Sequence, residues 1–191
     1  PPEGELTTEG RITHYYDKGE EKGALVVGQS ETYHSNGQKL FTSICTIFSR
    51  LDGGFGGKKG AMPKAHRLPS READLVCDIQ TSASQALLYR LNGDRNPLHA
   101  DPAVAAKAGF ERPILHGLCT YGIACHAILK TICAYDYTLI TGFDARFSAP
   151  VLPGDTITTD MWQDGNIVSF QCSVKERDIV VLKNGKCTLA A

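Results

Sequence analysis

The alternation of apolar and polar positions divides the chain into a strand-rich start, a helical middle and a strand-rich end. Residues 5 to 49 read as strands. "GALVVGQSETYH" and "KLFTSICTIFS" are rich in β-branched and aromatic residues and flank the turn signal "SNGQ". Asn36-Gly37 between two such runs predicts a β-hairpin. The following stretch, "RLDGGFGGKKGAMPKAHRLPSREADL", carries five glycines and two prolines and reads as a linker or a loop crossing a surface. In the middle, Ser82-Ala83-Ser84-Gln85 fits a capping box ahead of "QALLYRL", and Gly93 ends that helix. Asp101-Pro102 opens a second short helix, with Asp as N-cap and Pro in the first turn, and Gly109 closes it. Residues 117 to 130, "GLCTYGIACHAILK", are apolar nearly all round, which predicts a buried helix. The remainder, "TLITGFDARFSAPV", "DTITTDMWQ", "NIVSFQCSVKE" and "DIVVLKNGKCTLAA", returns to strands.

Several strands around one apolar helix predict an α+β domain, an antiparallel sheet wrapped on a helix. A weak internal repeat adds to this. "PPEGELTTEGRITHYYDKGEE" parallels "VLPGDTITTDMWQDGN": each has Pro, a Gly-acid pair, Thr-Thr, an aromatic residue and an Asp near a Gly. Each is followed by an apolar strand, a turn (Asn36-Gly37, then Asn184-Gly185) and a strand with a cysteine. The second copy is preceded by helices and the first is not, so the chain is expected to begin partway through a duplicated domain. Chance similarity of strand and turn residues is the plainer account.

Composition narrows the function classes. The chain has 191 residues, 20 basic and 21 acidic side chains, and no basic tract longer than Lys58-Lys59. That is no phosphate-neutralising stripe, so nucleic acid is not an expected partner. No apolar run reaches the roughly 20 residues a membrane-spanning helix needs. The seven cysteines are scattered without a Cys-x-x-Cys pair. They read as reduced thiols packed as small hydrophobes rather than zinc ligands.

The densest chemistry lies in "NGDRNPLH", residues 92 to 99. Asn96-Pro97 disfavours helical geometry at Asn96, so the backbone from Asp94 to His99 is expected to be extended and stiff. A carboxylate and an imidazole sharing one water form a minimal acid–base pair near neutral pH. The plainer account is a polar turn, with Asp94 and Asn96 capping the backbone and His99 bonded to a carbonyl. Eighteen residues after His99, Gly117 begins the apolar helix, where unpaired amide N–H groups and the helix dipole face outward. A ligand oxygen can approach a glycine amide closely, as enolate stabilisation needs. His116, beside it, is expected to fix the loop by hydrogen bonding.

The run Tyr89-x-Leu-x-Gly93-Asp94-x-Asn96-Pro97-Leu98-His99, followed by Ala105, resembles the signature of the (R)-specific enoyl-CoA hydratase 2, or MaoC-like dehydratase, family. "AGFERPILHGLCTYG" and "ARFSAPVLPGD" are similar to the same group in order and spacing. "GGFGGK" and the preceding hairpin resemble the eukaryotic form, the hydratase 2 region of peroxisomal multifunctional enzyme type 2. Asn92 departs from the small residue that the signature prefers. The resemblance implies a double hot-dog fold with an incomplete, degenerate N-terminal unit. Its boundaries would be 1–50 for that unit, 51–71 for a linker and 72–191 for the catalytic domain.

The implied activity is that of a hydro-lyase of fatty-acid β-oxidation, adding water reversibly to trans-2-enoyl-CoA to give (3R)-3-hydroxyacyl-CoA. Asp94 and His99 are carried over as the pair that activates water, Asn96 as a residue between them that orients a side chain or the water, and the Gly117 amide as the thioester-oxygen donor. Lys18, Gly93, Arg95, Pro97, Leu98 and Phe147 are carried over as substrate contacts. The resemblance implies no metal and no cofactor, since coenzyme A is part of the substrate. It further implies a homodimer, a fused or associated 3-hydroxyacyl-CoA dehydrogenase, and a peroxisomal location, otherwise cytoplasmic. The alternatives are a hot-dog thioesterase, an acyl-carrier-protein dehydratase, or a non-catalytic acyl-CoA-binding domain.

Overall fold

The computed structural model describes residues 3–57 and 64–190, and the chain divides into two units, Pro1–Lys64 and Ala65–Ala191. Lys58 and Lys59 lie outside the described residues. The first unit is an antiparallel meander of β1 (Leu6–Asp17), β2 (Ala24–His34) and β3 (Lys39–Ser49), in the order β1-β2-β3. The expected hairpin is present. Gly37 takes a φ of 83° that its missing Cβ permits, and the Asn36 side chain accepts the Gln38 amide at 3.0 Å. Burial concentrates on the middle strand, at Ala24, Leu25, Val27 and Thr32. Asp17 ends β1 by gripping the glycine-rich loop, its carboxylate accepting the amides of Gly19, Gly54 and Gly56 at 2.8, 2.8 and 2.7 Å. Those bonds, led by the one from Gly54, hold its pKa below the ordinary carboxylate value.

The second unit is a five-stranded antiparallel sheet wrapped around one helix, the hot-dog arrangement that the resemblance implies. Its strands are β4 (Leu75–Gln80), β5 (Ile140–Phe147), β6 (Thr156–Asp164), β7 (Ile167–Val174) and β8 (Ile179–Leu189), in the order β4-β6-β7-β8-β5. β4 begins where the glycine- and proline-containing stretch ends, in residues for which the sequence pattern predicted no element. Period-2 alternation sends Val168, Phe170, Cys172 and Val174 of β7 inward, with Ile157 and Met161 of β6 beside them. Against this face packs α3 (Gly117–Thr131), through Cys119, Ala124, Ala127 and Ile128. Five of the cysteines are buried and none is disulfide-bonded. No helix among the described residues is long and apolar enough to cross a membrane.

Four local expectations change. First, α3 is buried along one stripe only: Leu118 is 62% exposed, so its apolar composition did not mean burial all round. Second, α1 (Gln85–Tyr89), which precedes the expected short helix α2 (Pro102–Lys107), is a single turn continued by a 3-10 turn, Arg90–Asn92. Its capping box is half formed. Gln85 reaches back to the Ser82 amide at 3.4 Å, but the Ser82 hydroxyl accepts the Ser84 amide instead of that of Gln85. Third, Asn184-Gly185 is a bulge inside β8 and not a turn between strands. Asn184 has a φ of 56°, and a Cβ on Gly185 would collide with the Phe170 carbonyl oxygen. Both repeat copies do open three-strand meanders, but the second meander turns at Lys175–Arg177. Fourth, the backbone from Asp94 to His99 is not extended throughout. Asn96 is extended, with ψ 122°, but Pro97–His99 coils into a 3-10 turn.

The outer face of the second sheet is covered by the end of the glycine- and proline-containing stretch. The Trp162 indole donates to the Arg71 carbonyl at 2.9 Å, Asn184 donates to the His66 carbonyl at 2.8 Å, and His66 Nε2 meets the Ser169 hydroxyl at 2.8 Å. Residues 66–71 are thus bonded to the second unit. Arg71 also bridges Asp74 and Asp164 at the surface.

Candidate active site

The site forms where the Asp94 loop, the start of α3 and the end of β5 come together. Gly93, with φ 108°, stops the 3-10 turn in a left-handed conformation and turns the chain into the loop. Two side chains then fold it. Asp94 Oδ1 accepts the Asn96 amide at 3.2 Å, and Asn96 Oδ1 accepts the Leu98 amide at 3.0 Å. Asn96 is therefore an Asx cap that shapes the loop, and its side-chain oxygen is occupied in doing so. The 3-10 turn drives His99 inward, to 9% exposure, while Asp94 stays open to solvent.

The tautomer of His99 follows from its partner. Nδ1 lies 2.8 Å from the Ile114 carbonyl, which can only accept, so Nδ1 carries a proton and Nε2 is the lone-pair nitrogen of the neutral ring. His116 is held likewise: Nε2 donates to the Asp94 carbonyl at 3.2 Å. Its ring stacks on His99, with centroids 3.8 Å apart and planes 27° apart, and meets Tyr89 at 4.8 Å. Burial holds the His116 pKa below the ordinary imidazole value.

Asp94, His99 and His116 each bring a donor atom within 4.8 Å of the others. A carboxylate–imidazole gap of this size is one that a single water can span. These three are also the residues that could hold a metal.

Helix α3 starts at Gly117, with His116 as its N-cap. The Gly117 amide has no helical acceptor and sits at the positive end of the dipole. The loop reaches this position because Leu115 donates its amide to the Val151 carbonyl at 2.7 Å, pinning the strand-like approach to the β5–β6 connection. Phe147, at the end of β5, comes against Gly117: a Cβ there would lie 3.2 Å from ring atom Cε1. The structure thus brings together Asp94, Asn96, His99, Gly117 and Phe147.

The other residues that the sequence singles out distribute differently along the chain. Arg95 and Pro97 are exposed on the loop, Leu98 is half-buried, and Gly93 acts through its backbone. Lys18 belongs to the first unit, where its ammonium lies 5.5 Å from the Phe48 ring centroid. The aromatic partner Tyr89 and the stacked position of His116 were not read from the sequence. Tyr121, a conceivable proton donor, has its hydroxyl committed to the Phe143 carbonyl, and burial pushes its pKa up to about 12.

Comparison with known proteins places this geometry. The chain is 42% identical over 186 residues to enoyl-CoA hydratase ChsH3 of Mycobacterium tuberculosis, covering 97% of this chain and 64% of that protein. It is 40% identical over 196 residues to the peroxisomal hydratase-dehydrogenase-epimerase of Neurospora crassa, covering 100% of this chain and 21% of that one. The chain therefore spans less than two thirds of either relative. The solved full-length peroxisomal multifunctional enzyme type 2 of Drosophila melanogaster superposes with a TM-score of 0.90 at 37% identity, covering 100% of this chain and 34% of that one. A family model described as "MaoC like domain" matches residues 64–184, which hold Asp94, His99, α3 and the second sheet up to the middle of β8. The chain belongs to the MaoC-like domain family.

Proposed function

We propose that this chain catalyses the reversible hydration of trans-2-enoyl-CoA to (3R)-3-hydroxyacyl-CoA, a hydro-lyase reaction of fatty-acid β-oxidation. The observation that carries the reading is the Asp94–His99 pair, with donor atoms within 4.8 Å, beside the free amide at the start of α3. Asp94 holds the water and His99 Nε2, unprotonated in its fixed tautomer, takes the proton as the water oxygen bonds to C3. Electrons of the C2=C3 bond move toward the thioester, and its oxygen receives the Gly117 N–H as enolate character develops. The pair then returns a proton to C2, so one water is added and none of its atoms is lost. Phe147 lines the approach beside Gly117, and the exposed loop residues Arg95 and Pro97, with Leu98, face the incoming thioester.

No metal, flavin or nicotinamide takes part, because the thioester already makes C3 electrophilic and C2 acidic. Membership of the family, with relatives named as enoyl-CoA hydratase and hydratase-dehydrogenase-epimerase, supports an enoyl-CoA substrate and hydration; the (R) outcome follows the resemblance of the Asp94–His99 motif. The N. crassa relative is much longer than this chain and is named for a dehydrogenase as well. It supports a dehydrogenase fused or associated with this chain and a peroxisomal setting, and we add a homodimer as the assembly. The test is incubation with crotonyl-CoA and a C10 enoyl-CoA, with and without chelator, followed by resolution of product chirality. The (3R) product at an unchanged rate in chelator is expected. Absence of hydration overturns the reading, and release of free thiol would indicate a thioesterase.

A further inference from the structure

We propose that His116 is the positioning residue of this site: its side chain sets the acid and the base in register, and its backbone opens the helix that carries the oxyanion amide. The inference rests on the hydration reading for its kinetic consequences and on geometry for its substance. His116 touches all three parts. Its Nε2–H donates to the backbone carbonyl of Asp94, so the carboxylate-bearing loop hangs from this ring. Its ring face stacks on His99, fixing the imidazole plane that the Nδ1 bond to Ile114 leaves free to rock. Its own carbonyl accepts the amides of Cys119 and Thr120 at 3.1 and 3.2 Å, and it immediately precedes Gly117, so the first turn of α3 is wound on it.

The remaining features agree with a fixed, neutral spacer. His116 is 1% exposed, which removes it from direct contact with bulk water. Tyr89 packs against it, making a run of three rings from α1 to the base. With Nε2 donating, Nδ1 is the lone-pair nitrogen, and it is buried without a partner. A protonated His116 would therefore bury an unpaired N–H beside His99 and near Arg90, with only Asp94 opposing it. The ring does not share in proton transfer. It holds the groups that do, and an error of about 1 Å in such a pair costs on the order of a hundredfold in rate.

Two substitutions separate the contacts. H116F keeps a ring on His99 and loses the N–H to Asp94. H116Q keeps an amide N–H where Nε2 stands and loses the ring. Wild type and both variants are compared by thermal melt, by kcat and KM on crotonyl-CoA, and by crystal structure. In H116F, kcat is expected to fall on the order of a hundredfold with KM nearly unchanged, and the Asp94–His99 separation to open beyond 4.8 Å. H116Q is expected to restore at least tenfold of the loss, because it again holds the Asp94 carbonyl. The proposal is overturned if H116F retains the wild-type separation. It is also overturned if the loss of rate in both variants equals the loss of folded protein, or if Gln rescues nothing. A wild-type protein that fails to hydrate refutes the function, whereas the separation in H116F still decides the role of His116.

Discussion

Asp94→Asn tests whether the acid–base pair is chemistry or scaffold, because the structure predicts opposite sizes for its two effects. The carboxylate is exposed, so replacing it with an amide removes no buried charge. Its structural bond is acceptance of the Asn96 amide at 3.2 Å by Oδ1, and Asn retains that oxygen. The bond from His116 ends on the backbone carbonyl and does not depend on the side chain. Stability should therefore change by no more than about 0.5 kcal/mol, as for other surface substitutions, which shifts the melting temperature by roughly 2 °C. The rate should respond very differently. An amide neither holds water as a carboxylate does nor carries a proton, and general acid–base catalysis is worth about 10²- to 10⁴-fold, or roughly 3 to 5.5 kcal/mol of barrier. Thermal melts and the loss of enoyl-thioester absorbance, followed on the same preparations, measure both. A variant that hydrates within threefold of wild type refutes the role of Asp94. A melting temperature lowered by more than about 5 °C alongside the rate would make Asp94 a structural residue.

Gly117→Ala should cost kcat/KM on the order of a hundredfold, since the methyl crowds the amide that receives the thioester oxygen. The fold should tolerate it, because the Cβ would meet the Phe147 ring at 3.2 Å and that ring is half exposed and able to shift. Unchanged kinetics would remove the oxyanion assignment. His66 and His116 both have pKa values held below the ordinary 6.5, each by burial first. The unfolded chain then binds more protons below pH 6.5, so their contribution to stability is full above that pH and is lost as pH falls through the lower folded values. Denaturation midpoints measured from pH 7.5 to 5 should fall with acid, and His66→Gln should flatten the slope. A midpoint that rises toward pH 5 would contradict the burial of both rings.

Much of the architecture was legible because it rests on local physics. Asn36-Gly37 turns wherever a left-handed glycine is needed, Asp101 caps wherever its oxygen meets the Ala103 amide, and Gly117 opens a helix because the apolar run begins there. The misread positions share another cause. Asn184-Gly185 has the same composition as a turn, but strand pairing on both sides carries it straight through as a bulge. The β4 strand carries a weak pattern of its own and is defined by its partner β6. Whether α3 buries one stripe or its whole circumference depends on how much sheet reaches around it, which its own residues do not state.

The candidate site divides along the same line. From residue types and spacing alone came Asp94 and His99 as titratable groups of one loop, the extended backbone at Asn96 ahead of Pro97 and the free amide at Gly117, because each follows from side-chain chemistry or from local backbone geometry within a few residues. Tertiary structure alone decided which nitrogen of His99 bears the proton, that His116 lies stacked beneath it, and that Phe147 closes on Gly117. Those facts require the chain to return after roughly 15 to 30 intervening residues, and the free energy of that return is spread over the sheet, the β5–β6 connection and the buried face of α3 rather than written in any one motif.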